Sequence, residues 1–233
     1  MLAALVVAVF LQLGAVEPPA PAPEPAVSPQ PSATPREQLK EIGHVKALTP
    51  FCKAFVTHFN NSAQLMTSND EQISYIDYTF GTIDKRFTEL GGELRFYEDR
   101  VRLMAWVKAL QQHIPVLQDE INQLRRGAAL TLDPVAAKAA REVATQLQTS
   151  LDKQKQIAYD TLGVIHAMID VTDGKTKPDL GSRWDHEVYD ATTPKEMRDV
   201  RSYLKMDKQL ARIGDAESAA MSGAGAIALS CGE

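Results

Sequence analysis

The spacing of the apolar residues is the feature that most limits how this chain can fold. Two series keep a seven-residue repeat without a break: Ile73, Ile76, Phe80, Ile83, Phe87 and Leu90, and then Leu103, Val107, Leu110, Ile114, Leu117, Ile121 and Leu124. A third series has an eleven-residue period: Ala136, Ala140, Val143, Leu147, Leu151, Gln154, Ala158, Leu162, Ile165 and Ile169. These intervals are typical of α-helices packed side by side, and no stretch alternates as a β-strand would. The sequence therefore predicts an all-α fold, an elongated antiparallel helical bundle with heptad-type packing.

Capping signals predict where the helices begin. Thr34-Pro35, Thr49-Pro50 and Asp133-Pro134 each place a proline after a capping residue, and Ser68 to Glu71 and Thr193 to Glu196 form capping boxes. The predicted helices span 36–48, 50–66, 70–90, 93–126, 134–170 and 195–213. Pro115 is expected to bend the fourth of them gently, because a proline removes a helical hydrogen bond.

The segments outside the helices differ strongly in composition. Residues 1–16 are predicted to be a signal peptide cut after Ala15, or a short membrane anchor, because Leu2 to Val16 is apolar but too short to cross a bilayer. Residues 17–35 hold eight of the 13 prolines and predict a disordered, extended linker. Residues 36–213 form the predicted bundle domain, with an irregular loop at 171–193, and 214–233 a flexible Gly/Ala/Ser-rich tail. We interpret the chain as an exported protein that is periplasmic, extracellular or anchored on the outer side of a membrane.

Charge excludes one class of partner. All 25 basic residues and 25 of the 30 acidic ones lie between Arg36 and Gly214, so this body is net neutral. A neutral body with interspersed signs lacks the basic surface that binds nucleic acid. Acidic and basic residues also balance along each long helix, so we expect membrane contact only through the N-terminal segment, if it is uncleaved. The partners that remain are another protein, or a second copy of the chain joined through a heptad seam.

Candidate ligand residues are few. Glu41 and His44 form the only Glu-x-x-His motif, whereas a di-iron bundle needs two such motifs and two further Glu residues. The loop also carries Asp185, His186, Glu187 and Asp190, whose oxygen atoms would suit Ca²⁺. We favour a solvated, charged loop and an exposed Glu–His pair over metal sites. No cofactor is predicted.

Cysteine and hydroxyl chemistry add little to this interpretation. Cys52 and Cys231 could pair in an oxidising compartment, but we favour a buried Cys52 and a tail thiol at Cys231. Asn60-Asn61-Ser62 matches a glycosylation sequon, which alone is weak evidence. No complete catalytic motif is present. The sequence thus favours a non-enzymatic protein-interaction or envelope-structural module, with a metal- or small-ligand-binding bundle as the alternative.

Overall fold

The computed structural model describes residues 39–43, 49–89, 93–172 and 200–232. Within these ranges all regular secondary structure is helical: α1 (Pro50–Glu89), α2 (Glu93–Gly127), a 3-10 turn (Ala128–Leu130), α3 (Pro134–Thr172), α4 (Val200–Tyr203) and α5 (Met206–Ser230). The all-α prediction is confirmed. The predicted signal peptide, the Pro-rich linker and the loop at 173–199 lie outside the described residues.

Two of the predicted capping signals act as expected. Thr49 Oγ1 accepts a hydrogen bond from the Cys52 N–H at 3.1 Å, and Asp133 Oδ1 accepts one from the Val135 N–H at 2.9 Å. Both bonds satisfy amide groups that the first turn of a helix leaves without a partner. Helices α1 and α3 therefore begin at the prolines that follow these caps.

The predicted helix start at Ser68 to Glu71 is wrong, because α1 runs through these residues without interruption. Asn69 is completely buried and Asp70 is nearly so. The amide of Asn69 donates to Gln154 of α3 at 2.8 Å. The Asn69 side chain therefore binds a neighbouring helix and does not cap a new one. The predicted helices 50–66 and 70–90 belong to the single helix α1.

The predicted helix over 36–48 is also wrong in its described part, because residues 39–43 have no regular secondary structure. The Asn60 side chain accepts from the Ile42 N–H at 2.8 Å and donates to the Ile42 carbonyl at 3.1 Å. Thr67 donates to the Leu39 carbonyl at 3.3 Å, and Leu39 and Ile42 are both buried. Side chains of α1 thus replace the hydrogen bonds that a helix would have made.

The C-terminal region departs most from the prediction. Instead of one helix over 195–213 and a flexible tail, its described part contains α4, a break at Lys205 with a left-handed backbone (φ 51°), and α5 reaching Ser230. Alanine has the highest intrinsic helix propensity. Four alanines on one face of α5 are buried together with Ile227: Ala216, Ala220, Ala224 and Ala228. Small side chains let this helix approach α3 closely. The Ala-rich residues that resemble a flexible tail in the sequence therefore form part of the core.

The helices pack in sequence order, α1 on α2, α2 on α3, and α3 on α5. Cross-helix contacts follow opposite residue orders in α1 and α2: His58 meets Glu120, whereas Asn69 meets His113. Between α3 and α5, Ser150 meets Glu217 and Asp160 meets Gln209. Six residues of the predicted α2 seam have side chains that are at most 1% exposed: Leu103, Val107, Leu110, Leu117, Ile121 and Leu124. Ile114, beside Pro115, is only partly buried.

Candidate functional site

Of the six predicted metal ligands, only Glu41 lies in the part of the chain that the structure describes. Glu41 is exposed, and its Oε1 accepts a hydrogen bond from Gln64 Nε2 at 2.8 Å. His44 lies outside the described residues, as do Asp185, His186, Glu187 and Asp190. Within the described ranges, no three His, Cys, Asp or Glu side chains are close enough to hold a metal ion. The loop candidates therefore stay predictions.

A group of buried polar side chains connects the four long helices. Asn69 of α1 donates to Gln154 Oε1 of α3, and His113 Nδ1 of α2 lies 2.8 Å from Asn69 Oδ1. Gln154 donates to Ser150 Oγ at 3.3 Å, and Ser150 donates to Glu217 Oε1 of α5 at 2.6 Å. Asn69, Ser150 and Gln154 are completely buried, and Glu217 is 2% exposed. These five residues are called the polar layer below.

The polar layer separates two apolar clusters along the bundle. One cluster includes Ile73, Leu110, Ile157 and Ile213, and the other includes Met66, Leu117, Leu151 and Ala220. A buried polar group that loses its partner costs about 1–3 kcal/mol. Sliding any helix by one turn would leave several such groups without partners. The layer therefore favours one alignment of the four helices, as buried polar residues do in coiled coils.

Only one member of the layer could be anticipated from the sequence. Gln154 occupies a seam position in the predicted α3 series, where a polar residue among apolar neighbours is unusual. The sequence places Asn69 in a predicted capping box and Glu217 in the predicted tail. Neither residue has a local signal of burial, because its partners lie on other helices.

A second polar group joins α1 to α2 at the surface. His58 Nδ1 lies 2.6 Å from Glu120 Oε2, and Asn61 Nδ2 donates to Glu120 Oε1 at 3.0 Å. A histidine–carboxylate pair of this kind can activate a hydroxyl nucleophile. The Ser62 hydroxyl, however, donates to the His58 carbonyl at 2.8 Å and not to the imidazole ring. The group therefore holds two helices together and does not form a Ser-His-acid triad with Ser62.

A third polar group lies where α4 meets α1. Arg201 donates to Asp77 at 2.7 and 3.3 Å and to Asp207 at 2.5 and 3.1 Å. Hydrogen bonds to Asp77 and then to Asp207 raise the pKa of Arg201 above its ordinary value. The guanidinium, which is always positive at physiological pH, links the start of α5 to α1.

The two cysteines form a disulfide, so the preferred interpretation of two separate thiols is wrong. Cys52 lies in the first turn of α1, and Cys231 follows the last turn of α5, with 5.8 Å between the Cα atoms. Because α5 continues as a helix to Ser230 and does not form the predicted flexible tail, it holds Cys231 beside the first turn of α1. The bond therefore joins the ends of the first and last long helices.

The side chains of the predicted glycosylation sequon already take part in structural contacts. Asn60, its acceptor residue, uses both atoms of its side-chain amide to bind the Ile42 backbone, and Ser62 is completely buried. Modification would have to break both Ile42 bonds and unwind the α1 helix around Asn60. The geometry thus favours a structural role for this tripeptide.

Comparison with known proteins assigns this chain to no family. The sequence matches no protein-family model, and no curated protein or solved structure shows significant similarity to it. None of the helices in the described part of the chain combines the length and hydropathy that a membrane span requires.

Proposed function

We propose that this chain is an exported helical protein that acts without catalysis, as a protein-interaction or envelope-structural module. Its body is an elongated antiparallel bundle with heptad-type packing, and its N-terminal segment 1–16 directs it out of the cytoplasm. The disulfide between Cys52 and Cys231 is the observation on which the proposal chiefly depends.

The disulfide supports export because such bonds persist in oxidising compartments and are rare in the reducing cytosol. The apolar segment Leu2 to Val16 and the Pro-rich stretch that follows it agree with this location. The bond also ties the end of the Ala-rich helix α5 to the first turn of α1. A disulfide that closes a long loop removes conformational entropy from the unfolded state.

The opposite contact orders along α1 and α2, and along α3 and α5, support the antiparallel arrangement. The buried seam of α2 supports heptad-type packing. A non-catalytic role is supported by how the polar side chains are used. The hydrogen bonds of the His58–Glu120 pair join two helices, and those of the polar layer join four.

Export is tested with reporter fusions placed after Pro35. We expect a reporter that works only outside the cytoplasm to be active and a cytoplasm-only reporter to be silent. The thiols of the full chain should resist alkylation in intact cells until a reductant is added, whereas Cys52→Ser should expose Cys231 at once. A full-length chain recovered from the cytoplasm with both thiols reduced would refute the export proposal.

Architecture and association are tested by sedimentation and small-angle scattering of the purified chain. An elongated particle is expected, and a concentration-dependent increase in mass would indicate association through a seam. A compact particle would contradict the elongated bundle. Crosslinking in the native envelope, followed by identification of the captured protein, tests the interaction role.

A further inference from the structure

The turn between α2 and α3 exposes three large aliphatic side chains. Leu130, Leu132 and Val135 are 56%, 102% and 74% exposed, whereas Ala128 and Ala137 on either side of them are buried. Isolated exposed leucines are common on protein surfaces, but three within six residues on one turn form a local apolar projection. Leu130, Leu132 and Val135 are called the apolar turn below.

The conformation of this turn is fixed by hydrogen bonds. The Asp133 side chain caps α3 through the Val135 N–H, and the Asp133 N–H donates to Thr131 Oγ1 at 3.1 Å. A 3-10 turn precedes these residues, from Ala128 to Leu130. The backbone on both sides of Leu132 is thus held in place, so this side chain projects from a structured turn and not from a frayed end.

The turn lies at the end of the bundle that carries the disulfide. Gly127, just before the 3-10 turn, lies close to Ala54 in the second turn of α1: a Cβ built on it would be 3.6 Å from Ala54 Cβ. Ala54 is two residues from Cys52, which binds Cys231 at the end of α5. The end of α2, the beginnings of α1 and α3, and the end of α5 are therefore neighbours.

Most of the charged residues that the structure describes at this end of the bundle are basic. Between residues 49 and 56 and between 122 and 140, the charged residues are Lys53, Arg125, Arg126 and Lys138 against Asp133 alone. All five are exposed. The described residues of α5 after Ser218 carry no charge. Within these two described segments, four cations and one anion give a net charge of +3, although the body from Arg36 to Gly214 is neutral.

We propose that the apolar turn and its four cations bind the surface of an anionic lipid bilayer. Aliphatic side chains gain free energy by entering the boundary between headgroups and acyl chains, and nearby cations attract anionic headgroups. The four exposed cations and the apolar turn lie at the same end of the bundle. The inference extends the expectation from sequence, which limited membrane contact to the N-terminal segment.

A second copy of the chain fits this surface less well. A stable interface commonly buries about 800 Å² on each partner, and three side chains on one turn offer only a fraction of that area. Two copies meeting through the same patch would also bring like charges together. The inference does not depend on export, since purified protein tests it.

The experiment uses the full chain with its disulfide intact and a tryptophan introduced at the turn. Leu132→Trp is mixed with vesicles of phosphatidylcholine and phosphatidylglycerol that contain brominated acyl chains. We expect bromine to quench the added fluorescence of Leu132→Trp relative to the native chain. Val116→Trp is the matched control, because Val116 is 51% exposed but lies about three helical turns before the end of α2 at Gly127. Its fluorescence should not be quenched beyond that of the native chain.

Binding strength is measured by co-sedimentation with the same vesicles without bromine. Leu130→Ser with Leu132→Ser should weaken partitioning at least about tenfold, and Arg125→Glu with Arg126→Glu should do so by a similar factor. Val101→Ser with Val116→Ser should leave it unchanged. Unaltered melting by circular dichroism checks that each variant is folded.

Three results would overturn the proposal. One is an unquenched Leu132→Trp on vesicles to which the chain is bound, since contact would then run through the N-terminal segment alone. Another is equal binding to pure phosphatidylcholine, which would remove the role of the cations. The third is a soluble dimer that Leu132→Ser dissociates, because the turn would then bind a second copy.

Discussion

The close approach of α5 to α3 predicts opposite effects for two glycine substitutions in the same helix. A Cβ built on Gly223 would lie 2.8 Å from Val143 Cγ2, whereas one on Gly225 meets nothing within 4 Å. Alanine is favoured over glycine in a helix by about 0.8–1 kcal/mol. Gly225→Ala should therefore raise the free energy of unfolding by about 0.5–1 kcal/mol.

Gly223→Ala gains the same propensity but must relieve an overlap of about 1 Å, because carbon atoms in contact prefer 3.5–4.0 Å. Overpacking of this kind costs about 1–3 kcal/mol, so the variant should be the less stable of the two by about that amount. Urea unfolding followed by far-ultraviolet circular dichroism measures both. In a Val143→Ala background the cost at Gly223 should disappear, giving a coupling of about 0.5–3 kcal/mol in a double-mutant cycle. Equal stabilisation by both glycine variants would refute the close contact.

Three further perturbations have defined outcomes. Cys52→Ser with Cys231→Ser opens a loop with a sequence separation of 179, and should lower the free energy of unfolding by up to about 5 kcal/mol. The native chain in reductant should have the same stability as this variant, and an unchanged urea midpoint would contradict a stabilising disulfide. Asn69→Leu leaves partners on two helices without their hydrogen bonds and should cost about 2–4 kcal/mol by urea unfolding; unchanged stability would mean that the polar layer is not a network. Arg201→Met should cost about 1–2 kcal/mol, since its partners are partly exposed, and thermal melts should show the difference shrinking in high salt.

The sequence was most informative where a long helix has a regular apolar seam. The bounds of α2 and α3 follow the predicted ranges closely, because most seam residues of each helix that the structure describes are buried, and the seven- and eleven-residue periods record that burial. The caps at Thr49 and Asp133 were also predictable, since a cap binds backbone within three residues of itself.

The errors come from interactions between residues far apart in the chain. Asn69 has the local signature of a helix start, yet it is paired with α2 and α3. The Ala- and Gly-rich residues of α5 resemble a tail until α3 supplies a surface that only small side chains can approach. Gln154 was visible as a polar seam residue, but its connection to Glu217 through Ser150 depends on the alignment of α3 with α5. Such an alignment is not recorded in either segment alone.

The disulfide makes most of the folded chain a covalent ring. Every residue from Cys52 to Cys231, including all five helices except the first two residues of α1, belongs to this ring. A protease that cuts the peptide backbone once within it therefore releases no fragment: the two pieces stay attached through sulfur. The long segment between α3 and α4 lies inside the ring, so an exported chain nicked there would keep α5 bonded to α1 and would separate only when a reductant is present.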